Sequence, residues 1–187
     1  PILNLGPGKN PIYTYSSVKR DKHYYIERDK NIKPSCIHIL PMDYEFTDST
    51  EISAKICPVS DVNYYKAFYM ANKVNYTTGG DLGLVFMADG KAFGFSSFSK
   101  KLSTLEQIVM QSDFVVNSNT QRLSKLLIML VKSHNVRMLI ARKMANYYDG
   151  VKTTEYTTSP ISMKYRGVFD LERRDEGKLM YSANFLD

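Results

Sequence analysis

The feature that most constrains the fold of this chain is a strand, a polar turn and a helix that follow one another between residues 105 and 134. Residues 108–116 are rich in apolar side chains and end in the β-branched pair Val115 and Val116, which is typical of a buried strand. The next four residues, 117–120, are Asn-Ser-Asn-Thr and form a polar turn. The helix that follows carries apolar residues at spacings of three and four: Leu123, Leu126, Leu127, Leu130 and Val131.

The start of this helix has the chemistry of an anion site. Backbone N–H groups in the first turn of a helix have no intrahelical acceptor, and they can hold a phosphate. Arg122 and Lys125 lie in the first turns, where positive charge opposes the helix dipole, and a bound phosphate would remove that conflict. The alternative is an ordinary strand–helix unit whose helix is capped by Asn119 or Thr120. The sequence leaves both interpretations open.

Length and composition predict a globular protein. The 187 residues, 43% of them hydrophobic and 24% charged, suit one domain, predicted over 36–187, preceded by an irregular arm over 1–35 that contains glycine, proline and basic and aromatic residues. No apolar run approaches the roughly 18 residues of a membrane span, and no signal peptide is visible. Two cysteines without a CxxC motif form no disulfide scaffold, so we expect a cytoplasmic protein.

Positive charge is concentrated in the C-terminal part of the chain. The net charge is +6, and residues 121–187 contain 12 Lys and Arg against 7 Asp and Glu. No acidic residue occurs from Phe114 to Tyr148, while six basic ones do: Arg122, Lys125, Lys132, Arg137, Arg142 and Lys143. Such a concentration indicates a polyanionic partner, and a solvated helix surface is an equally good explanation.

The remaining elements follow from turn signals and periodicity. Asp89-Gly90 between two apolar runs, 82–88 and 92–98, predicts a β-hairpin. Residues 43–53 are polar and are predicted to be a loop. Helices are expected from Ser60 and over 136–147, although 137–141 also fits a strand. Further strands are expected in four segments: 36–40, 151–157, 161–171 and 179–181.

Alternation along the segment Ser162-Met163-Lys164-Tyr165-Arg166 predicts a strand with a basic face. Ser162, Lys164 and Arg166 would share one face, and Met163 and Tyr165 the other. A row of Lys and Arg suits phosphate contacts, and the polar outer face of an edge strand is the other explanation.

The order of these elements resembles the GNAT N-acetyltransferase fold. A hairpin feeds a longer strand, the strand turns into a helix over a polar loop, and a further strand follows. The resemblance implies an α/β (α+β) fold with a mixed, mostly antiparallel sheet flanked by helices, and acetyl-CoA or another acyl-CoA as cofactor. Within that superfamily, Ser112-Asp113-Phe114-Val115-Val116-Asn117-Ser118-Asn119-Thr120-Gln121-Arg122-Leu123-Ser124 is similar to the phage Mom-like DNA-modification proteins. The resemblance covers roughly residues 64–175.

Coenzyme-binding residues follow from the resemblance. The loop and first helical turn would hold the pyrophosphate, and the preceding strand would bind the pantetheine arm and polarise the acyl carbonyl. The corresponding positions here are Val115, Val116, Asn117, Arg122, Leu123, Ser124 and Lys125. The superfamily loop is usually Gln/Arg-x-x-Gly-x-Gly/Ala. Here Ser124 and Leu126 stand near the glycine positions, and glycine is what allows close approach of the backbone to phosphate.

Catalytic candidates rest on the same resemblance. Acyl transfer to an amine needs a base for the amine proton and an acid for the leaving thiol. Asp113, on the same strand face as Val115, is the candidate for the base or for orienting the substrate. Tyr147 and Tyr148 are the candidates for the acid. A surface ion pair for Asp113 and a place at the edge of the core for the tyrosines are the structural alternatives.

Three functions remain open on the sequence. The first is an acyltransferase that modifies DNA bases, with the DNA held by Arg137, Arg142, Lys143, Ser162, Lys164 and Arg166. The second is a non-catalytic nucleic-acid-binding module with the same fold, and the third an N-acetyltransferase of a small molecule or protein amine. The three histidines form no HExxH motif and no cluster of cysteine and histidine, so no zinc site is predicted.

Overall fold

The computed structural model describes residues 37–69, 79–100, 106–116, 122–154, 164–175 and 178–185, and the backbone of 2–3, 12–13 and 156–157. Three helices and ten strands occur in these residues. In chain order they are β1 (Ile2–Leu3), β2 (Ile12–Tyr13), β3 (Ile52–Cys57), α1 (Val59–Tyr69), β4 (Leu82–Ala88), β5 (Lys91–Lys100), β6 (Gln107–Val115), α2 (Leu123–Lys132), α3 (His134–Met144), β7 (Gly150–Thr153), β8 (Tyr156–Thr157), β9 (Asp170–Asp175) and β10 (Lys178–Asn184).

A single sheet contains the eight strands from β3 to β10. Its order is β3-β4-β5-β6-β7-β10, with β8 and β9 also paired to β10. All pairs are antiparallel except β6 with β7, which is parallel. This confirms the predicted α/β (α+β) class with a mixed, mostly antiparallel sheet flanked by helices. Within the described residues, no helix is long and apolar enough to cross a membrane.

Helices cover both faces of the sheet. Val62 and Tyr65 of α1 pack on one face, where Phe95 is stacked between Tyr65 and Phe114, with ring centroids 4.8 and 5.5 Å away. The other face packs against α2 and α3 and forms the larger core cluster, which includes Leu84, Phe98, Met110, Leu127, Ile128 and Ile140. Burial of these two apolar faces is what holds the three layers together.

Gly94 lets α2 approach the sheet closely. A Cβ at this position would lie 2.5 Å from Cδ1 of Leu127 and 3.1 Å from the carbonyl oxygen of Phe114. Because the position has no side chain, Leu127 packs directly over β5. The start of α2 is thereby fixed close to the end of β6, as the strand–turn–helix prediction requires.

Two stretches fold differently from the sequence prediction. Residues 43–53 are not wholly a loop, because β3 begins at Ile52 and pairs along its whole length with β4. Cys36–Leu40 was expected to be a strand, but in its described part, 37–40, Ile39 forms only an isolated bridge to Ala92. The start of β3 was not predicted because it lies at the end of a polar stretch. As an edge strand, β3 is also partly exposed to solvent and lacks a fully apolar sequence.

The expected strand over 161–171 is also wrong for residues 164–169 and right only for Asp170 and Leu171. Residues 164–168 form turns, and the strand begins only at Asp170. Residues 161–163 lie outside the described residues. The second helix is confirmed as a helix, but it ends at Met144, where Ala145 takes a left-handed conformation, so that Tyr147 lies beyond it. The arm over 1–35 lies outside the described residues except for the β1–β2 pair.

Candidate active site

The second half of β6 is hydrogen-bonded to a neighbouring strand on only one side within the described residues. Residues 107–110 pair with β7, and the N–H of Thr154 donates to the carbonyl of Met110. Beyond this point β8 pairs with β10 instead, so that residues 111–115 of β6 pair only with β5. Gln111 is an extra residue in that pairing, since Ser97 lies opposite Ser112 and Phe98 opposite Met110. Among the described residues, the two parallel strands β6 and β7 are therefore paired only as far as Met110, and no strand is paired with the second half of β6 on this side.

Asp113 lies in this stretch, buried and hydrogen-bonded. Its residue is only 5% exposed. The hydroxyl of Tyr165 donates to Oδ1 at 2.8 Å, and the ammonium of Lys164 forms an ion pair with Oδ2. The Tyr165 ring stacks on Tyr181 of β10, with centroids 4.6 Å apart, which fixes the position of its hydroxyl. A buried carboxylate requires such partners because its desolvation is otherwise costly.

Lys66 brings a buried amine towards the same place from α1. It is 5% exposed and lies on the face of the helix that packs on the sheet, one turn after Val62. Burial lowers the pKa of Lys66 to about 8, and the negative charge of Asp113 acts in the opposite direction. Positive and negative charge are thus combined in the interior close to β6.

Three buried serine hydroxyls lie on β5 and β6 next to Asp113 in the strands: that of Ser96 on the same face of the sheet as Asp113, and those of Ser97 and Ser112 on the opposite face. Ser96 lies opposite Asp113 in the β5–β6 pairing, and Ser97 lies opposite Ser112. Among the described residues, the hydroxyl oxygens of all three serines have no hydrogen-bond partner. Unsatisfied buried polar atoms are rare in native proteins and call for an explanation such as an unseen ligand or water. Their grouping in the middle of an otherwise apolar sheet marks this as the candidate active site.

The start of α2 is a further part of the candidate site. Arg122 occupies the N-cap position and makes no side-chain capping hydrogen bond. Its carbonyl accepts hydrogen bonds from the backbone N–H groups of Lys125 and Leu126. The first turn contains no acidic residue, while the side chain of Arg122 is exposed and that of Lys125 half-buried. The N–H groups of Leu123 and Ser124 precede the first intrahelical donors, which is the usual arrangement of an anion-binding helix start.

Comparison with protein families decides what kind of domain this is. A family model described as a phage GNAT-like domain matches residues 50–186, which is most of the chain. The chain belongs to this phage GNAT-like domain family. A comparison with curated protein sequences gives no match.

Solved structures of low similarity include several acetyltransferases. A GNAT-family acetyltransferase from Listeria monocytogenes is 14% identical, with a TM-score of 0.38 over 55% of this chain and 63% of that one. The PaiA N-acetyltransferase from Thermoplasma acidophilum, in complex with coenzyme A, is 12% identical, with a TM-score of 0.38 over 55% and 59%. YncA from Salmonella typhimurium, with its cofactor acetyl-CoA, is 11% identical, with a TM-score of 0.45 over 72% and 94%. The GNAT-like domain therefore spans less than two thirds of the first two proteins.

The predicted coenzyme site has a helix part, at the start of α2, and a strand part, at the end of β6, and their residues lie in different environments in the GNAT-like domain. Arg122, Leu123, Ser124 and Lys125 lie together at the start of α2, with Arg122 at the N-cap position. Val116 is buried, and its N–H already donates to the carbonyl of Phe93 at 3.0 Å, so that this group is not available to an acyl carbonyl. Val115 is half-buried and lies on the stretch of β6 that, in the part of the chain the structure describes, pairs only with β5. Asn117 lies outside the described residues.

The tyrosines predicted as the acid are not brought to Asp113. Tyr148 directly precedes Asp149, whose N–H donates to the carbonyl of Glu106 at the beginning of β6. From there to Asp113 the strand runs for roughly 20 Å. Tyr148 is buried, which raises its pKa, while Tyr147 is 75% exposed. The hydroxyl that does contact Asp113 belongs to Tyr165.

In its described residues, Lys164 to Arg166, the predicted basic strand face does not form in the GNAT-like domain. Lys164 and Tyr165 are consecutive residues, yet both contact Asp113, which a strand with alternating faces does not allow. Arg166 is exposed in the same turn, and Ser162 lies outside the described residues.

The basic residues of α3 lie in two environments. The guanidinium of Arg137 lies over the ring of Phe185, 5.8 Å from its centroid. Arg142 and Lys143 are exposed near the end of the helix. All three are on the α2–α3 side of the sheet.

Sequence reasoning missed three parts of the site. Lys66 carried a usable signal, because it lies with Val62 and Tyr65 on the apolar stripe of α1, where a lysine is unusual. The serines of β5 interrupt an aromatic run, which was a weaker signal. The contact of Tyr165 with Asp113 spans 52 residues of sequence and had no signal in the sequence.

In the described part of the chain, no three His, Cys, Asp or Glu residues are grouped as metal ligands.

Proposed function

We propose that this protein is an acyl-coenzyme A-dependent acyltransferase whose reaction takes place at Asp113. One observation carries the proposal. A buried carboxylate, hydrogen-bonded to Tyr165, lies two residues before the end of β6, on the stretch that pairs with only one strand among the described residues. Membership of the phage GNAT-like domain family supports the same chemistry.

Two groups of backbone N–H would bind the donor. Those at the start of α2, assisted by the side chains of Arg122 and Lys125, suit the diphosphate of coenzyme A, because the helix dipole favours negative charge there. Those along residues 111–115 suit the amides of the pantetheine arm, which can add to β6 as a further strand does. Ser124 and Leu126 in place of loop glycines would make the approach to phosphate less close.

Two side chains of the site would move the protons. The acceptor amine attacks the thioester carbonyl, a C–N bond forms and the C–S bond breaks. Asp113 takes the proton that the amine loses, and Tyr165 gives one to the sulfur of the leaving coenzyme A. Their hydrogen bond, 2.8 Å long, connects the two groups, so that the proton accepted by Asp113 can restore the hydroxyl of Tyr165.

A DNA base is our proposed acceptor, as in Mom-like proteins. The absence of acidic residues from Phe114 to Tyr148 and the exposed cations Arg142 and Lys143 favour a polyanion. The target base must leave the stack to reach a buried carboxylate. An amine of a small molecule or protein is the alternative acceptor, and a binding module without catalysis is the alternative function.

Donor binding is tested by thermal-shift titration with acetyl-coenzyme A. Because a ligand that binds only the folded state raises the melting temperature, we expect a concentration-dependent increase for the wild type. Arg122→Ala should reduce the increase, and Arg174→Ala, which removes an exposed cation from β9, should not. A wild type with no increase would contradict acyl-coenzyme A binding and favour the non-catalytic module.

The acceptor is tested by mass spectrometry of nucleosides from DNA co-expressed with the protein. We expect a base of increased mass with the wild type and its loss with Tyr165→Phe, which removes only the hydroxyl. Unmodified DNA together with intact acetyl-coenzyme A binding would reject DNA as the acceptor and leave the small-molecule or protein amine.

A further inference from the structure

Two adjoining cavities lie on the outer side of α3, away from Asp113. The larger, of about 710 Å³, is lined by residues that include Asn135, Met138, Arg142, Asn146 and Tyr147. The smaller, of about 280 Å³, is lined by residues that include His134, Arg137, Tyr148, Asp149 and Phe185. Three residues line both cavities: Met138, Ala141 and Tyr147. Tyr147 therefore lies between the two cavities. We call these two cavities and Tyr147 the α3 surface.

Tyr147 and Met138 give the α3 surface exposed apolar area. Tyr147, which follows the end of α3, is 75% exposed, and Met138, in the middle of α3, is 42% exposed, although both are large side chains with extensive apolar area. An aromatic ring presented to solvent beside a cavity of this volume is suited to stacking on a planar group. The amide side chains of Asn135 and Asn146 line the same cavity as the guanidinium of Arg142.

Arg137 gives the smaller cavity a donor for an anion. Its guanidinium lies over the Phe185 ring, and its Nε is buried with no hydrogen-bond partner among the described residues. A buried donor that lacks an acceptor indicates that an acceptor enters from elsewhere. A phosphate oxygen is suited to this place because a guanidinium binds phosphate through several parallel hydrogen bonds.

The charged residues of α3 indicate what kind of partner the α3 surface binds. Arg137, Arg142 and Lys143 belong to one helix that has no acidic residue. Among the described residues, no carboxylate lines the larger cavity, and Asp149 is an exposed residue at the smaller one. Tyrosine, methionine and arginine are also common in protein interfaces, but three cations without an opposing charge on the helix favour a polyanion.

We infer that the α3 surface binds single-stranded nucleic acid, with one base stacked on Tyr147 and phosphates held by Arg142 and Arg137. A single strand is required because the ring can stack only on a base whose face is exposed. The inference rests on the DNA-acceptor part of the proposed function and adds to it a holding site. Since Tyr148 lies by the beginning of β6, roughly 20 Å from Asp113, this site would grip nucleotides that flank the target base.

Fluorescence anisotropy with a labelled oligo-dT of twelve nucleotides tests the inference. We expect binding that weakens steeply as salt increases. Tyr147→Ala should weaken it by about tenfold, in the range for loss of one stacked base. Arg142→Ala should lower the slope of log affinity against log salt by about 0.7, the value for one phosphate contact. Arg174→Ala, the matched loss of one exposed cation on β9, should change neither quantity.

Several outcomes would overturn the inference. These are the absence of oligonucleotide binding, equal affinity for a duplex of the same length, or an unchanged affinity for Tyr147→Ala. A wild-type dimer in sedimentation velocity that Tyr147→Ala converts to a monomer, without oligonucleotide binding, would assign the α3 surface to a second copy of this chain. Melting temperatures of the variants check the fold. Oligonucleotide binding without an acetyl-coenzyme A thermal shift would support this inference while rejecting the proposed acyltransferase.

Discussion

Because of Lys66, we expect the free energy of unfolding of this protein to change with pH in the alkaline range. In the folded protein burial lowers the pKa of Lys66 from 10.5 to about 8. Between these values the unfolded chain holds a proton that the folded protein has released, and the free energy of unfolding therefore increases with pH. Below pH 8 both states are protonated, and the dependence disappears. Over the whole window, the free energy of unfolding increases by on the order of 3 kcal/mol, because each unit by which the two pKa values differ corresponds to about 1.4 kcal/mol.

Lys66→Met tests this reasoning because it replaces the amine by an apolar chain of similar length. Urea denaturation of the wild type and the variant from pH 7 to pH 10.5 gives the difference between their free energies of unfolding. Other titrating groups occur in both proteins and cancel in this difference. We expect the wild type to gain stability relative to the variant by on the order of 3 kcal/mol as pH rises through the window.

Lys55→Met is the matched control, because Lys55 is exposed on β3 and its replacement should leave the pH dependence unchanged. A difference between wild type and Lys66→Met that stays constant from pH 7 to pH 10.5 would refute the assignment of Lys66 as a desolvated amine.

Three further predictions concern packing and reactivity. Tyr165→Phe leaves the buried Asp113 without one donor and should lower the free energy of unfolding by about 1–3 kcal/mol in urea denaturation; no loss would mean that the hydrogen bond is absent in solution. Gly83→Ala places a Cβ 2.6 Å from the carbonyl oxygen of Cys57 and should destabilise by about 1–3 kcal/mol, whereas Gly79→Ala meets nothing within 4 Å and serves as the control. Burial, and then the charge of a nearby aspartate, raise the pKa of the Cys57 thiol to about 12, so mass mapping at pH 8 should find it unlabelled by a thiol reagent until urea unfolds the chain; rapid labelling of the folded protein would contradict this.

Local sequence determined the elements whose signals are contained within a few residues. The hairpin between β4 and β5 is one such case, because Asp89 and Gly90 have φ values of 45° and 74° that only a few residue types adopt readily. The strand, turn and helix that end in α2 are another, since a buried apolar run and a stripe at spacings of three and four are visible without any partner. Together with the further strand that follows, the order of these elements carried the resemblance from which the fold class was predicted.

Elements that depend on a partner were not predictable in the same way. β3 is a half-solvated edge strand, and its conformation is decided by pairing with β4. The segment around Tyr165 alternates as a strand would, but stacking on Tyr181 and the hydrogen bond to Asp113 hold it in turns. Tertiary contacts therefore overrode the local pattern.

The sequence by itself determined that a helix begins beside the end of a buried strand, and that Asp113 lies on that strand. Only the tertiary structure decided which side chains Asp113 meets: Lys164 and Tyr165 rather than Tyr147 and Tyr148. The physical reason is that periodicity records which face of an element is buried, whereas the partner of a buried charge is set by how distant segments pack and by the cost of leaving that charge unpaired.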